Sequence, residues 1–383
     1  MKSLNVGMIG GGFMAKAHSL AISGGVNMFF DDGIVLNRKM IAEVNEEMAK
    51  DAARRFGYEK YTTNWRTLVE DPDIDIVDIV TPNNLHMEMA IAAANAGKHI
   101  ICEKPLGRNS NETKKILAAV EKANVKNLVA FNYRKTPAVA LAKKFIDEGS
   151  IGKILNFRGT YLQDWSADPE SPLSWRFKKD VAGSGALGGD IGTHVIDFAH
   201  FLVGKIDEVM SMSKTWIKDR PIQTGGLDTL GNKSAENTER GVVDVDDEIS
   251  TLLRFKNGAV GSIEATRNAW GRNNFLTFEI HGEKGSLYFN YERRDELQVF
   301  FAEDGDDRRG FKTVYTGTPH PYGEGLWPIP AIGIGYSEVK IIEMHDFLQA
   351  IIQDKECEPN FNEGHKIAQV SDAIIESSKN KNG

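Results

Sequence analysis

Two cysteines, Cys102 and Cys357, are too few in 383 residues for a disulfide framework or a cysteine metal cage. Prolines are sparse as well, 12 against 37 glycines, so the chain is neither collagenous nor low in complexity. No apolar run approaches the roughly 18–20 residues of a membrane span. The apolar strand and glycine run that follow Asn5 leave no room for the charged start and cleavage site of a signal peptide. A basic excess is lacking too: Lys plus Arg number 46 against 54 Asp plus Glu, a net charge of −8, with no basic stripe to neutralise phosphates. These features lead us to expect a soluble, cytoplasmic protein with neither nucleic acid nor membrane as a partner.

What is present is apolar material for a sizeable core, 41% of residues against 26% charged, and a length that suits two domains of about 100–200 residues each. As far as about residue 149, short apolar runs alternate with segments of helical periodicity. The runs 5–9, 40–44, 74–80, 99–102 and 128–131 are expected strands. The stretches 14–23, 46–56, 85–96, 110–123 and 138–148 are expected helices, which together predict a parallel, doubly wound sheet. Beyond Ile151 the pattern changes to longer alternating stretches, with hairpin-type turns at Asn257-Gly258 and 282–285, as in a mainly antiparallel sheet. A helix over 187–202 interrupts it, 219–243 reads as an irregular excursion, and two helices, 337–353 and 363–378, close the chain. We therefore place a first α/β domain at 1–135 and a second, α+β domain with a large open sheet at 136–383, its last helices free to pack back on the first.

Gly10-Gly11-Gly12-Phe13-Met14-Ala15 fits the dinucleotide-binding loop, directly after a strand and opening a helix, where small residues let the backbone approach a pyrophosphate. Gly10, Gly12, Phe13 and Met14 are the expected cofactor contacts there, and the first domain is read as a Rossmann domain. Glu43 ends the second expected strand; its carboxylate suits the ribose hydroxyls and repels a 2′-phosphate, which predicts NAD over NADP. The spacing from the glycines to Glu43 exceeds the usual ~20 residues, so residues 24–37 read as an insertion.

Two further motifs lie at strand ends, Thr81-Pro82-Asn83-Asn84-Leu85-His86 and Glu103-Lys104-Pro105, and Gly189 to Asp197 reads G-D-x-G-x-H-x-x-D. Asp190 and His194 stand four apart, on one face of the expected helix. With the glycine loop, these motifs resemble the family of glucose-fructose oxidoreductase, inositol dehydrogenase and rhizopine-catabolism proteins, over nearly the whole chain. The resemblance implies a two-domain oxidoreductase in which Lys104, Asp190 and His194 match catalytic positions. Thr81, Asn83, His86, Glu103 and Lys104 match cofactor-pocket positions. It also implies a cis peptide before Pro105, a sugar, anhydrosugar, glycoside or inositol as substrate, and a homo-oligomer built through the open sheet, a dimer or a tetramer with the tetramer preferred.

Oxidising a secondary alcohol calls for a base with pKa near working pH beside a group that stabilises oxyanion charge. His194 suits the base and Lys104 the electrostatic partner, or the reverse; Asp190 either holds the hydroxyl or orients the imidazole, and Asp197 supports the site. The set 190, 194 and 197 is not read as a metal cluster, since no companion motif is present. Tyr133, Gln163, Trp165, Arg176 and Tyr336 are expected to meet a polyhydroxylated ring through aromatic faces and polar donors. His320, Tyr322 and Trp327 either wall the same pocket or seal a subunit contact. An NAD-dependent glycoside hydrolase acting by oxidation and elimination, and a non-catalytic NAD sensor, are the alternatives.

Overall fold

The computed structural model describes residues 2–222 and 239–380. It divides into two units, Met1–Asn132 with Ile334–Ala368, and Tyr133–Gly333 with Gln369–Gly383.

In the first unit, β1 (Lys2–Ile9), β2 (Ile34–Ala42), β3 (Lys60–Thr62), β4 (Ile76–Ile79), β5 (His99–Cys102) and β6 (Asn127–Val129) form a parallel sheet in the order β3-β2-β1-β4-β5-β6. Helices α1 (Phe13–Leu20), α2 (Val26–Phe29), α3 (Glu46–Phe56), α4 (Trp65–Glu70), α5 (Asn83–Asn95) and α6 (Ser110–Ala123) connect the strands. All four residues of β4 are buried, as befits a parallel strand covered on both faces. The chain order reverses between β1 and β4, the switch point where open α/β sheets take their ligands. Local signals agree with this frame: the Asn45 side chain accepts from Met48 N to start α3, and Gly57, at φ 72°, ends it.

One expectation needs correction here. Residues 24–37 are not simply an insertion, because a wide helical turn (Ala21–Gly25) and α2 are followed by β2 from Ile34, whose first half pairs with Lys2 to Val6 of β1. That half is mostly half-exposed and its composition mixed, which hid it. The short β3 and α4 had no expectation at all.

The second unit carries β7 (Ile154–Leu162), β8 (Ile206–Lys214), β9 (Asp219–Pro221), β10 (Arg240–Val242), β11 (Glu248–Phe255), β12 (Val260–Thr266), β13 (Phe275–Gly282), β14 (Gly285–Asn290), β15 (Glu296–Phe301) and β16 (Lys312–Tyr315). Eight of them form a sheet in the order β16-β15-β14-β13-β7-β12-β11-β8, antiparallel except for β7 beside β12. Its helices are α7 (Pro137–Asp147), α8 (Lys179–Ala182) and α9 (Gly192–Leu202). The helix expected over 187–202 starts later than that: Ala186–Asp190 is a wide π-type turn and α9 proper begins at Gly192. Gly159 on β7 lets α9 lie close, since a Cβ there would sit 2.4 Å from Val195. The stretch 219–243 is not wholly irregular, because β9 and β10 pair antiparallel at its ends; residues 223–238 lie outside the described residues.

Two helices follow, α10 (Tyr336–Ile352) and α11 (Phe361–Lys379). α10 belongs to the first unit, where Ile341, Met344, Phe347, Leu348 and Ile351 join Val6, Met8, Ile22 and Val26 in one core. No helix among the described residues is long and apolar enough to cross a membrane.

Candidate active site

In the first unit the glycine loop turns from β1 into α1. Gly10 has φ 107°, and a Cβ there would lie 2.8 Å from the Val80 carbonyl oxygen, so the turn demands glycine. A Cβ at Gly12 would meet nothing within 4 Å, which leaves the open backbone approach that a pyrophosphate needs at a helix N-terminus. Glu43 stands one residue beyond β2; its Oε1 accepts from Gly11 N at 2.6 Å and its Oε2 from Val44 N at 2.8 Å. The acid thus steadies the loop beside which a ribose would bind.

Thr81 and Lys104 follow β4 and β5, both half-buried. His86 is fully buried between them, with Nδ1 2.8 Å from the Pro105 carbonyl and Nε2 2.9 Å from that of Thr81. Burial pulls its pKa down against those two carbonyls. His86 therefore staples the two strand-end turns together, and Asn83, also buried, lies at the start of the same helix. The Lys104–Pro105 peptide is cis. Glu103 is buried as well: its Oε1 receives His18 Nε2 at 3.0 Å and Lys340 Nζ at 2.9 Å, and its Oε2 accepts from Lys104 N at 3.1 Å. Burial opposes its charge, but Lys340, His18 and Lys104 overcome this and hold the carboxyl well below the usual range. His18 and Lys340 had no part in the sequence expectations. Each lies on a helix that carries other charged residues, so nothing local marked it. Tyr336, expected at the substrate, opens α10 in this first unit: its ring stacks on Phe13 at 6.1 Å and its hydroxyl donates to Met14 Sδ at 3.6 Å.

The second unit brings Asp190, His194, Tyr133, Gln163 and Trp165 into one neighbourhood. The turn carrying Asp190 is anchored by Asp246, whose carboxylate accepts from Gly185 N at 2.8 Å and Leu187 N at 3.0 Å. Glycine is forced at 185 and 189, where a Cβ would lie 1.8 Å from Asp246 O and 1.9 Å from Ser184 O. Arg267, fully buried at the end of β12, faces Asp190 Oδ2 with Nη1 at 3.8 Å and Asp247 Oδ1 with Nη2 at 3.8 Å. His194 is buried, with the Tyr133 ring edge-on at 4.6 Å and the Tyr161 ring at 6.0 Å. Asp197, one turn on, pairs with Arg134, whose Nε donates to Oδ2 at 3.1 Å and whose Nη2 donates to Oδ1.

Beside His194 runs a polar array. Tyr133 and Tyr161 hydroxyls are 3.0 Å apart, Tyr161 donates to Asn274 Oδ1 at 2.5 Å, and Asn274 Nδ2 donates back to Tyr133 at 3.3 Å. Gln163 Nε2 reaches Asn274 Oδ1 at 3.0 Å, and Trp165 Nε1 donates to Gln163 Oε1 at 3.0 Å. Arg176 lies farther along, with its guanidinium 4.4 Å from the Trp175 ring and its carbonyl accepting from Arg267 at 3.3 Å. Arg267 and Asn274 were missed by sequence reasoning, because an isolated Arg or Asn at a strand end carries no local pattern. Among the described residues no group of three or more His, Cys, Asp or Glu could hold a metal.

A family model described as "Oxidoreductase family, NAD-binding Rossmann fold" matches residues 4–131, and one described as "GFO/IDH/MocA C-terminal domain" matches 139–288. The chain belongs to the GFO/IDH/MocA oxidoreductase family. Within that family it is 63% identical over 377 residues, 98% of this chain and 96% of the relative, to levoglucosan dehydrogenase of Pseudarthrobacter phenanthrenivorans. It is 29% identical over 315 residues, 82% of each chain, to myo-inositol 2-dehydrogenase of Thermotoga maritima. A solved structure of levoglucosan dehydrogenase in complex with NADH and levoglucosan matches with a TM-score of 0.93 at 61% identity, over 99% of this chain and 98% of that one. This GFO/IDH/MocA member is an NAD-dependent dehydrogenase of the sugar and polyol class.

Proposed function

We propose that the enzyme oxidises levoglucosan, or a closely similar anhydrosugar, at one secondary hydroxyl. The observation that carries this reading is the 63% identity to levoglucosan dehydrogenase over 98% of the chain. Every hydroxyl of that 1,6-anhydro sugar is secondary, so the product is a keto-anhydrosugar with its bridge intact. The glycine loop, Glu43 and Thr81 hold NAD, which when bound supplies the hydride acceptor. His194 takes the hydroxyl proton, the Lys104 ammonium steadies the developing alkoxide, and Asp190 aligns the hydroxyl. Tyr133, Gln163 and Trp165 offer ring faces and hydrogen bonds to the sugar, and the closed array through Asn274 supports that role by fixing each polar atom. Arg176 stands at the margin of this wall, and Tyr336, with Phe13 and Met14, borders the cofactor loop.

The enzyme works in the cytoplasm, a reading that a content of only two cysteines, both buried, supports. It assembles through the open face of the eight-stranded sheet as a dimer or tetramer. In support, Met210, Met212 and Leu252 are 53%, 74% and 62% exposed on the adjacent strands β8 and β11. A monomer mass in light scattering at micromolar concentration would end that assignment.

The test of function is purified enzyme with NAD against levoglucosan, inositols, free sugars and glycosides, following NADH together with any released aglycone. NADH with levoglucosan ahead of the inositols is the expected result. Aglycone without NADH would favour the hydrolase, and inertness on every ring would overturn the dehydrogenase assignment. Lys104→Ala and His194→Ala should each lower kcat at least about a hundred-fold with NADH binding still measurable; near-normal turnover in both removes the mechanism.

A further inference from the structure

Behind Lys104 lies a set of ionisable groups that the hydride-transfer scheme does not use. His18, on α1 one turn after Met14, is buried, with Nδ1 2.9 Å from Asp78 Oδ2 and Nε2 3.0 Å from Glu103 Oε1. Lys340, on α10 one turn after Tyr336, is buried too, with Nζ 2.9 Å from Glu103 Oε1 and 2.9 Å from Glu343 Oε2. Both cations thus converge on one oxygen of Glu103, and the other oxygen accepts from the Lys104 peptide nitrogen.

We propose that His18 and Lys340 are positioning residues for the reaction: together they fix the Glu103 carboxylate, and through it the main chain of Lys104. Burying an ionised carboxylate is costly unless its oxygens keep charged or hydrogen-bonding donors, so removing the His18 bond or the Lys340 ammonium leaves Glu103 to take up a proton or turn away. Either response frees the Lys104 peptide, and a displacement of about 1 Å in a catalytic group can cost about a hundred-fold in rate. The same two helices meet a second time at the cofactor loop, where Tyr336 touches Phe13 and Met14. The loop that takes the cofactor and the lysine that meets the substrate are therefore braced by one helix pair. Fixing both groups relative to each other is what a hydride transfer requires.

The groups facing His18 are Asp78 on β4, Glu103 after β5, and Lys340 and Glu343 on α10, with Tyr58 and Cys102 feeling the charge of Asp78. Burial draws the imidazole pKa down, yet Asp78 and the hydrogen bonds outweigh burial and Lys340, so it rises to about 9 and His18 is a cation at neutral pH.

The inference rests on the proposed role of Lys104, and wild-type turnover is the control. An inert wild type would sink that role, whereas an active wild type with indifferent variants sinks this one. His18→Asn keeps a group at the Nδ1 position toward Asp78 and loses the bond to Glu103; His18→Gln keeps a donor near the Nε2 position and loses Asp78. Lys340→Met loses the cation and Lys340→Arg restores one. The expected result is a fall in kcat of about ten- to a hundred-fold for His18→Asn and Lys340→Met, NADH affinity changed far less, and recovery of most of the loss in His18→Gln and Lys340→Arg. Equal kcat for His18→Asn and His18→Gln, or lower stability with unchanged kcat, would overturn the proposal. If the truncations do not fold, the alkaline limb decides: above about 9 a neutral His18 has one N–H for the two carboxylates of Asp78 and Glu103, so wild-type kcat must decline, and His18→Gln, which keeps its donor to Glu103, must lack that decline. The same limb in both proteins refutes the role of His18.

Discussion

The Arg134–Asp197 pair offers the sharpest test of how the second unit is held together. Both side chains are nearly inaccessible, 4% and 1% exposed, and meet through two parallel hydrogen bonds, with the guanidinium also 4.7 Å from the Phe201 ring. Asp197→Asn keeps the shape and removes the charge, leaving a buried guanidinium opposite a neutral amide; Arg134→Leu strands a buried carboxylate instead. Each single change should cost about 3–5 kcal/mol, because the remaining ion keeps its desolvation penalty without its partner. At about 2–4 °C per kcal/mol for a unit of this size, the melting temperature should fall by about 6–20 °C. The combined Arg134→Leu, Asp197→Asn protein should lose much less than the sum of the singles, since no ion is left behind. Melting curves and urea titrations of the four proteins give the coupling. The reasoning also carries to the site: Tyr133 precedes Arg134 and packs on His194, three residues before Asp197 on α9, so kcat should fall in the folded single variants. Singles within about 1 kcal/mol of wild type, or a double variant equal to their sum, would refute the argument.

Other expectations can be checked on the same material. The raised pKa of His18, from 6.5 to about 9, gives stability fully present below about 6.5 and lost as pH rises through 9, about 3 kcal/mol in all. Glu343, whose carboxyl burial pushes up, adds to the decline from lower pH. Melting temperature should therefore drop most between pH 6.5 and 9 and be flatter there in His18→Gln, and a level wild-type profile contradicts it. Glu43→Ala with Val44→Arg should gain NADP turnover and lose NAD efficiency about ten-fold or more; a variant still confined to NAD would mean that another residue reads the ribose. Arg267→Met should raise KM for the sugar and lower kcat by disturbing Asp190 while leaving NADH affinity near wild type, and a change in NADH affinity alone would count against that placement.

What could be read in advance was whatever the chain writes locally. The glycine loop, Glu43 after an apolar strand, and the alternation of β7, β11, β13 and β14 are patterns within a dozen residues. Strands that are short or half-exposed, β3 and the first half of β2, carry too little apolar bias to stand out. Asp190 looked like part of an α-helix because its spacing to His194 suits one, but close approach of Gly185 and Gly189 to backbone oxygens widens the turn there. His18, Lys340, Arg267 and Asn274 owe their positions to partners far away in sequence, such as Glu103, 237 residues from Lys340. No periodicity encodes such pairings.

The return of α10 to the first sheet has a consequence for synthesis on the ribosome. Roughly 200 residues separate Val129, where that sheet ends, from Tyr336, about 10–40 s of elongation at about 5–20 residues per second. Throughout that interval the nascent first unit lacks Ile341, Met344, Phe347 and Leu348, and the apolar surface they cover stays open while the second sheet is being made. Phe13 also lacks Tyr336, and Glu103 lacks Lys340. The unit translated first is thus completed only after the second sheet has been made, and a chain stopped before α10 exposes that apolar flank.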